Sequence, residues 1–289
     1  MSLLTRTVVR ALDRTGSRMV LGKLATAYFR SRTASDVAVL HDGEFWAHRT
    51  NGWYFPDDAS FRYHARSFVR WPEQPNTEIH NAQNWWYKLY RPRPGDTIVD
   101  IGAGRGEDAI SFSQAVGKTG RVIAIEAHPT SFRMLKRFCA ANHLLNVEPL
   151  HVAATDKAGT LRIADSSSGE WEANTMVSGE AGTEVEGRTL DAICEDLAVG
   201  RIAFLKMNIE GAERLALQGM SKTLPSIDVL CICCHDFRAE RGDGEEFRTR
   251  EFVQDWLDSN GFDLRETSHS YDFERDHLHA VRRDGKGGR

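Results

Sequence analysis

The sequence predicts a mostly parallel, doubly wound α/β sheet, and three observations carry that prediction. From residue 96 onward, short apolar strand segments alternate with helical ones, the pattern of parallel strands joined by crossover helices. The first of these strands runs into a glycine-rich loop, Gly102-Ala103-Gly104-Arg105-Gly106. Each later strand ends in a polar or small-residue element, at the edge where open α/β sheets bind ligands. At 289 residues the chain is long enough for one large α/β domain and an extension. Its 41% hydrophobic and 27% charged residues exclude a mostly disordered chain. No apolar run approaches the roughly 18 residues that a membrane-crossing helix needs.

The N-terminal extension reads as two segments, 1–35 and 36–93. Residues 1–32 carry Arg6, Arg10, Arg14, Arg18, Lys23, Arg30 and Arg32 against the single acid Asp13, a net +6 that leaves −10 for residues 33–289. A helix would stack the first four arginines on one face. The functional reading is a basic amphipathic helix docking on an anionic surface such as a membrane, a carrier protein or nucleic acid. The commoner reading, which we favour, is a solvated face packed on its own domain or on a second subunit, as in a homo-oligomer. In residues 36–93, Asp42-Gly43 and Asn51-Gly52 mark hairpin turns between short strands. A helix is expected from Asn76 to Tyr90, closed by the proline-rich run Arg91 to Gly95. The dense aromatics, Trp46, Trp53, Tyr54, Phe55, Trp71, Trp85, Trp86 and Tyr87, suit a small core better than a lid.

The main domain is expected over 94–283, with a disordered tail at 284–289. Its strands are Thr97–Ile101, Arg121–Ile125, a third within Val147–Ala154, Ile202–Ile209 and Asp228–Cys234. Phe262–Glu266 and His277–Arg282 close the sheet as an antiparallel pair. Helices are expected at Glu107–Ala115, Ser131–Asn142, Leu190–Leu197, Gly211–Gly219 and Glu245–Asn260. Thr160–Ile163 and Thr183–Arg188 flank a polar loop, Asp165–Gly182, as extra strands.

The strand ends define a nucleoside site. Glycines let the backbone approach a ligand and take positive φ. Asp100, Gly102, Ala103, Gly104 and Gly106 form that turn. Glu126, with Ala127 beside it, ends the next strand and can accept two hydrogen bonds from a ribose diol. Ala154 and Asn208 end the third and fourth strands and complete the cofactor set. A dinucleotide fold wants Gly-x-Gly-x-x-Gly, whereas here the spacing is Gly-x-Gly-x-Gly and the acid Glu107 follows at once. An acid at that helix head is badly placed beside a pyrophosphate but tolerable beside a sulfonium or an ammonium. The expected cofactor is therefore S-adenosyl-L-methionine.

The residues resemble the FkbM family of S-adenosylmethionine-dependent methyltransferases. The matching stretches are Pro94–Gly104, Ala124–Pro129, Thr189–Asp191, Phe204–Glu213 and Cys234–Asp236, with Lys206-Met207-Asn208-Ile209-Glu210-Gly211-Ala212-Glu213 the most distinctive. The resemblance implies a class I methyltransferase fold, a Rossmann-like seven-stranded sheet. It also implies O-methylation of a hydroxyl on a sugar, polyketide or related small metabolite. Two positions depart from the family: Asn208 stands where Asp is usual and Gly104 where Asn is common.

On the fourth strand Lys206, Asn208 and Glu210 share one face. Candidate catalytic residues are His235 as first choice of base, Glu210 as second, and Lys206, for which a structural ion pair is the favoured alternative. Trp171, Asn174 and Asp236 are the candidate acceptor-binding residues, two of them in the 165–182 loop. No metal is expected: Glu210, Glu213 and Asp236 could together hold Mg²⁺ through oxygen ligands, but no pair of them has diagnostic spacing. A zinc site using Cys231, Cys233 and His235 would need a second ligand pair that the spacing does not offer. The cysteines at 139, 194, 231, 233 and 234, three of them crowded into an apolar run, read as reduced, buried thiols of a cytoplasmic protein.

Three alternatives stay open at this point. An RNA methyltransferase is disfavoured because the fourth strand runs into Asn208-Ile209-Glu210-Gly211 rather than Asn/Asp-Pro-Pro-aromatic, and no Pro-Cys nucleophile is present. No nucleic-acid partner is expected from a net charge of −4. The others are a nicotinamide-dependent oxidoreductase and a catalytically inactive nucleoside-binding protein.

Overall fold

Five parallel strands and one antiparallel pair build the central sheet of the computed structural model, which describes residues 9, 11–14, 16–33, 36–61, 68–163, 182–268 and 272–283. The chain divides into two units, one of residues 1–80 with 136–143 and one of 81–135 with 144–289.

In the smaller unit, strands β1 (Ala38–His41), β2 (Trp46–Thr50) and β3 (Trp53–Asp58) form an antiparallel meander. Asn51 and Gly52 turn β2 into β3 with φ of +50° and +82°, the positive pair that a two-residue hairpin turn requires. Helix α1 (Arg18–Thr33) buries Leu21, Ala25 and Phe29, spaced by four, with Val37, Val39, Trp46 and Trp71. His48 lies between Phe55 and Trp71, with ring centroids 5.3 and 4.2 Å away. The aromatics of this segment are core, not a lid. α1 begins only at Arg18, after Gly16 has turned to φ +75°, so Arg14 and Arg18 do not sit on one continuous helix. Arg6 and Arg10 lie outside the described residues. Met19, Val20, Leu24 and Tyr28 are exposed on α1.

The larger unit begins within α2 (Gln74–Trp85), which stops five residues short of the expected Tyr90. Its sheet contains β4 (Thr97–Ile101), β5 (Arg121–Ile125), β6 (Val147–Leu150), β10 (Ile202–Met207), β11 (Ile227–Cys233), β12 (Phe262–Arg265) and β13 (His277–Arg282). The spatial order is β12-β13-β11-β10-β4-β5-β6, parallel except that β13 runs antiparallel to both neighbours. This is the class I methyltransferase arrangement, with its switch point between β4 and β10. One face, carrying Val99, Ile123, Leu205 and Leu230, is covered by α5 (Leu190–Asp196), α6 (Glu213–Gln218) and α8 (Arg250–Ser259). On the other face Phe204 meets Phe112 of α3 (Ala109–Val116) and Tyr87, at centroid distances of 6.3 and 6.0 Å. Helix α4 (Pro129–Ala141) follows β5.

Two expected elements divide. The third strand stops at Leu150, and Ala153-Ala154 becomes β7, which pairs with β9 (Thr183–Arg188) in a side sheet of order β7-β9-β8, with β8 at Gly159–Ile163. Ala154 thus ends a side-sheet strand and not a strand of the central sheet. The expected helix Glu245–Asn260 splits into a 3-10 turn, Glu245–Phe247, and α8. The break is set by Asp236, whose Oδ2 accepts the Thr249 and Arg250 N–H groups at 3.2 and 3.0 Å and so caps α8.

Candidate active site

The loop after β4 is shaped by its glycines. Gly102, Gly104 and Gly106 have φ of +81°, +57° and +99°. A Cβ on Gly102 would stand 2.0 Å from the Asn208 carbonyl oxygen, so only glycine lets the loop approach the end of β10. The Gly102 and Ala103 N–H groups both donate to the Ile125 carbonyl, at 2.9 and 3.0 Å. Nothing lies within 4 Å of a Cβ on Gly104, which leaves space over the turn.

Glu126 holds the floor of that turn. Its Oε2 accepts the Gly104 N–H at 2.8 Å and its Oε1 accepts the His128 N–H at 2.7 Å. Each oxygen keeps a second acceptor position, which two ribose hydroxyls can use. Burial pushes its pKa up to about 7, against the pull of these two N–H donors. Ala127, next along, packs against the small cluster of Ala153, Ile163 and Val185.

Lys206 is 2% exposed in the middle of the sheet. Its ammonium donates to the Gly102 carbonyl at 2.8 Å and lies 2.9 Å from Asp100 Oδ1 and 3.6 Å from Asp108 Oδ2. It also faces the Trp86 ring, 5.2 Å from the centroid, while Trp86 Nε1 donates to Asp108 at 2.9 Å. Burial alone would discharge the amine, but Asp100 and Asp108 outweigh it and hold its pKa above the ordinary value. A permanently protonated lysine with its donors committed is no catalytic base. The structure makes Lys206 the counter-ion that ties the glycine loop to β4 and β10. Sequence reasoning missed Asp108 and Trp86, whose only signal was an acid at the head of α3.

His235 also departs from its expected role. Its Nε2 is 3.1 Å from Glu210 Oε1 and its Nδ1 is 3.1 Å from Glu213 Oε1, with the ring 3% exposed. Burial lowers the affinity of the imidazole for its proton. The contacts with Cys233, Glu210 and Glu213 reverse that and push its pKa up to about 12. An imidazolium between two carboxylates has no lone pair for an incoming proton. Glu210 is committed as well: its Oε2 takes Arg238 Nη1 at 2.7 Å. Despite burial, His235 and Arg238 hold its carboxyl below the usual range. Its φ of +53° is uncommon for a non-glycine residue and sets the turn that brings it to His235. The first and second choices of base thus form one ion-paired cluster. Asp236 serves as the α8 cap rather than as a free acceptor-binding group, and Trp171 and Asn174 lie outside the described residues.

The donor set fits S-adenosylmethionine. Among the described residues, Asp100 Oδ2 and Asn208 Oδ1 are buried acceptors without a hydrogen-bond partner. Together with Glu126 they offer acceptors to a ligand rich in ammonium and hydroxyl donors, and none of these positions suits a pyrophosphate. We expect Glu126→Ala to weaken cofactor binding by roughly 100-fold or more, from two charge-assisted hydrogen bonds worth about 1.5–3 kcal/mol each. Calorimetry with S-adenosylhomocysteine measures this. In the wild type, affinity should fall as the pH drops through about 7, because protonation removes acceptor capacity from Glu126. Glu126→Gln should flatten that dependence, and a profile identical in both proteins would remove Glu126 from the ribose.

The profile of the Methyltransferase FkbM domain matches residues 100–264. A search of curated proteins finds no match. Among solved structures, an FkbM methyltransferase from Methylobacillus flagellatus KT is similar at 16% identity and a TM-score of 0.46, covering 76% of this chain and 55% of that one. The fibrillarin of Aeropyrum pernix, solved with bound S-adenosyl-L-methionine, is similar at 17% identity and a TM-score of 0.45, covering 85% of this chain and 94% of that one. Likenesses at this level assign no chemistry to the chain; the domain profile, spanning more than half of it, assigns the family. The chain belongs to the FkbM methyltransferase family, and its cofactor is S-adenosylmethionine.

Proposed function

We propose that this methyltransferase acts on a hydroxyl of a small metabolite, a sugar, polyketide or similar molecule, by in-line O-methylation. The observation that carries the reading is the end of β10. Asn208-Ile209-Glu210-Gly211 holds a sheet-embedded ion cluster there, in place of the proline-aromatic platform that base-amino methylation uses. Net charge supports it: −10 over residues 33–289 gives no basic field for a polyanion.

S-adenosylmethionine supplies a methyl carbon already activated by its sulfonium. This chain's residues supply placement. Glu126 orients the ribose, Asp100 and Asn208 take donors from the amino-acid end, and Lys206 pairs with Asp100 and keeps the loop in register. Holding the acceptor oxygen in line with the methyl carbon can contribute about 7–11 kcal/mol in favourable cases. With His235 and Glu210 ion-paired, placement rather than a strong base is the main contribution, and the hydroxyl proton passes to water as the bond forms. The 165–182 loop is the segment we assign to acceptor choice.

The five cysteines are all unbridged, which suits a reducing compartment such as the cytosol. Among the described residues no helix is long and apolar enough to cross a membrane. Mass spectrometry of a metabolite extract incubated with the protein and methyl-labelled cofactor tests the acceptor class. We expect label on the oxygen of a small hydroxylated compound. Label confined to added RNA would overturn the reading.

A further inference from the structure

The polar row that crosses the sheet does not end at Lys206. Register places Asp100 of β4 beside Lys206, Lys206 beside Cys231 of β11, and Cys231 opposite His279 of β13. His277, two residues before His279, projects from the same face. Cys231, His277 and His279 are 0%, 4% and 3% exposed. One ligand atom from each lies within 4.8 Å of the others.

We propose that Cys231, His277 and His279 form a buried three-ligand centre for a borderline-soft divalent cation of the zinc class. Cys231 Sγ is 3.7 Å from His279 Nε2. Tetrahedral zinc, with bonds of about 2.3 Å to sulfur and about 2.0–2.1 Å to nitrogen, needs a sulfur–nitrogen separation of about 3.6 Å. The pair is thus spaced for a shared metal, at a distance that in the metal-free protein is a weak thiol–imidazole hydrogen bond. Thiolate and imidazole select this class of ion, whereas magnesium or calcium would want oxygen ligands.

The surroundings suit a cation. Asp100 and Asp108 outnumber Lys206 next along the row, so with both carboxylates ionised the region is one positive charge short of neutral. A dication bound to one thiolate adds one positive charge and closes that gap. Coordination of the Cys231 thiol breaks its S–H bond, forms the metal–sulfur bond, and releases one proton to solvent. Trp86 stacks on His277 with centroids 4.7 Å apart, which fixes that ring on the β13 side of the centre. Cys233 faces the same way, but its sulfur stands 3.8 Å from His235 Nε2, inside the ion cluster, and it is not a ligand in this assignment. The cysteine-rich run of β11 lacked a second ligand pair only along the chain. Antiparallel pairing with β13 supplies it from residues 46 and 48 positions downstream of Cys231.

The test uses the full-length protein without a histidine tag. After equilibration with buffered zinc and gel filtration, elemental analysis should find one zinc per chain. Cobalt(II) titration should produce thiolate charge-transfer absorption and the visible bands of tetrahedral cobalt. Cys231→Ser and His279→Gln should abolish both, and Cys233→Ala should retain them. Circular dichroism confirms that each variant is folded, and metal-dependent proton release from the wild type reads the site without any variant. A wild-type protein that holds no zinc would overturn the assignment. So would cobalt spectra that lack sulfur charge transfer or that survive in Cys231→Ser.

Discussion

Lys206→Met should lower the unfolding free energy of the ligand-free protein by about 3–5 kcal/mol, the usual cost of removing one partner from a buried ion pair. The methionine fills the volume, so the loss comes from charge. Asp100, 0% exposed, would remain in the sheet with no cation against Oδ1 and no partner for Oδ2. Asp108 would lose its nearest positive group, and the Gly102 carbonyl would lose its donor. Cofactor affinity should fall with stability, because the same ammonium fixes the glycine loop. Denaturant unfolding measures the first effect and calorimetry the second. The double variant Lys206→Met/Asp100→Asn separates charge from shape. It should recover part of the stability, since both members of the Lys206–Asp100 pair are then gone and only Asp108 is left without its cation. A double variant no more stable than Lys206→Met alone would show that the ion pair is not the cause.

The second large effect is at His235. Glu213 is 0% exposed; among the described residues its Oε1 takes His235 and the Gly211 N–H, and its Oε2 has no hydrogen-bond partner. His235→Gln therefore strands a buried carboxylate and should also cost about 3–5 kcal/mol. The pH dependence distinguishes this from a packing loss. A histidine whose pKa rises from the ordinary 6.5 to about 12 on folding contributes its full stabilisation below about 6.5. That contribution declines as the pH rises toward about 12, at up to about 1.4 kcal/mol per unit. The wild type should lose stability through the mildly alkaline range, and the variant should lack that slope. Turnover per folded molecule, measured cold, should change little. A variant of wild-type stability with lost turnover would restore His235 as the base.

These two sites mark where the sequence stops being legible. The alternation of strands and helices could be read because each buried strand is a short apolar run bounded by turn residues. The antiparallel closing pair, Phe262–Arg265 with His277–Arg282, was readable for the same reason. The place of Glu126 at the end of β5 was readable because a polar residue there closes an apolar run. The environments of Lys206 and His235 were not. Asp108 and Asp100 stand 98 and 106 residues before Lys206, and Trp86 comes from a segment with no motif. His235 looked like a free imidazole at a strand end until Glu210 and Glu213 folded back onto its two nitrogens. The same limit applies to elements. The third strand was drawn as one because Val147–Ala154 is continuous in composition, yet Ala153 and Ala154 pair with residues more than thirty positions later. The long helix was drawn unbroken because the residue that caps α8, Asp236, belongs to a different segment.

Residues 136–143 belong with the first eighty residues, although α4 starts outside them. Phe138, 1% exposed, packs on Phe55 at 5.6 Å, and Asn142 exchanges hydrogen bonds with the Tyr54 backbone at 2.8 and 2.9 Å. The N-terminal unit is therefore not a detachable module. A truncation that removes residues 1–80 would bare an aromatic anchor and orphan an amide, inviting aggregation of the remainder. A chimera that imports the front end of a relative must carry the relative's second half of α4 with it.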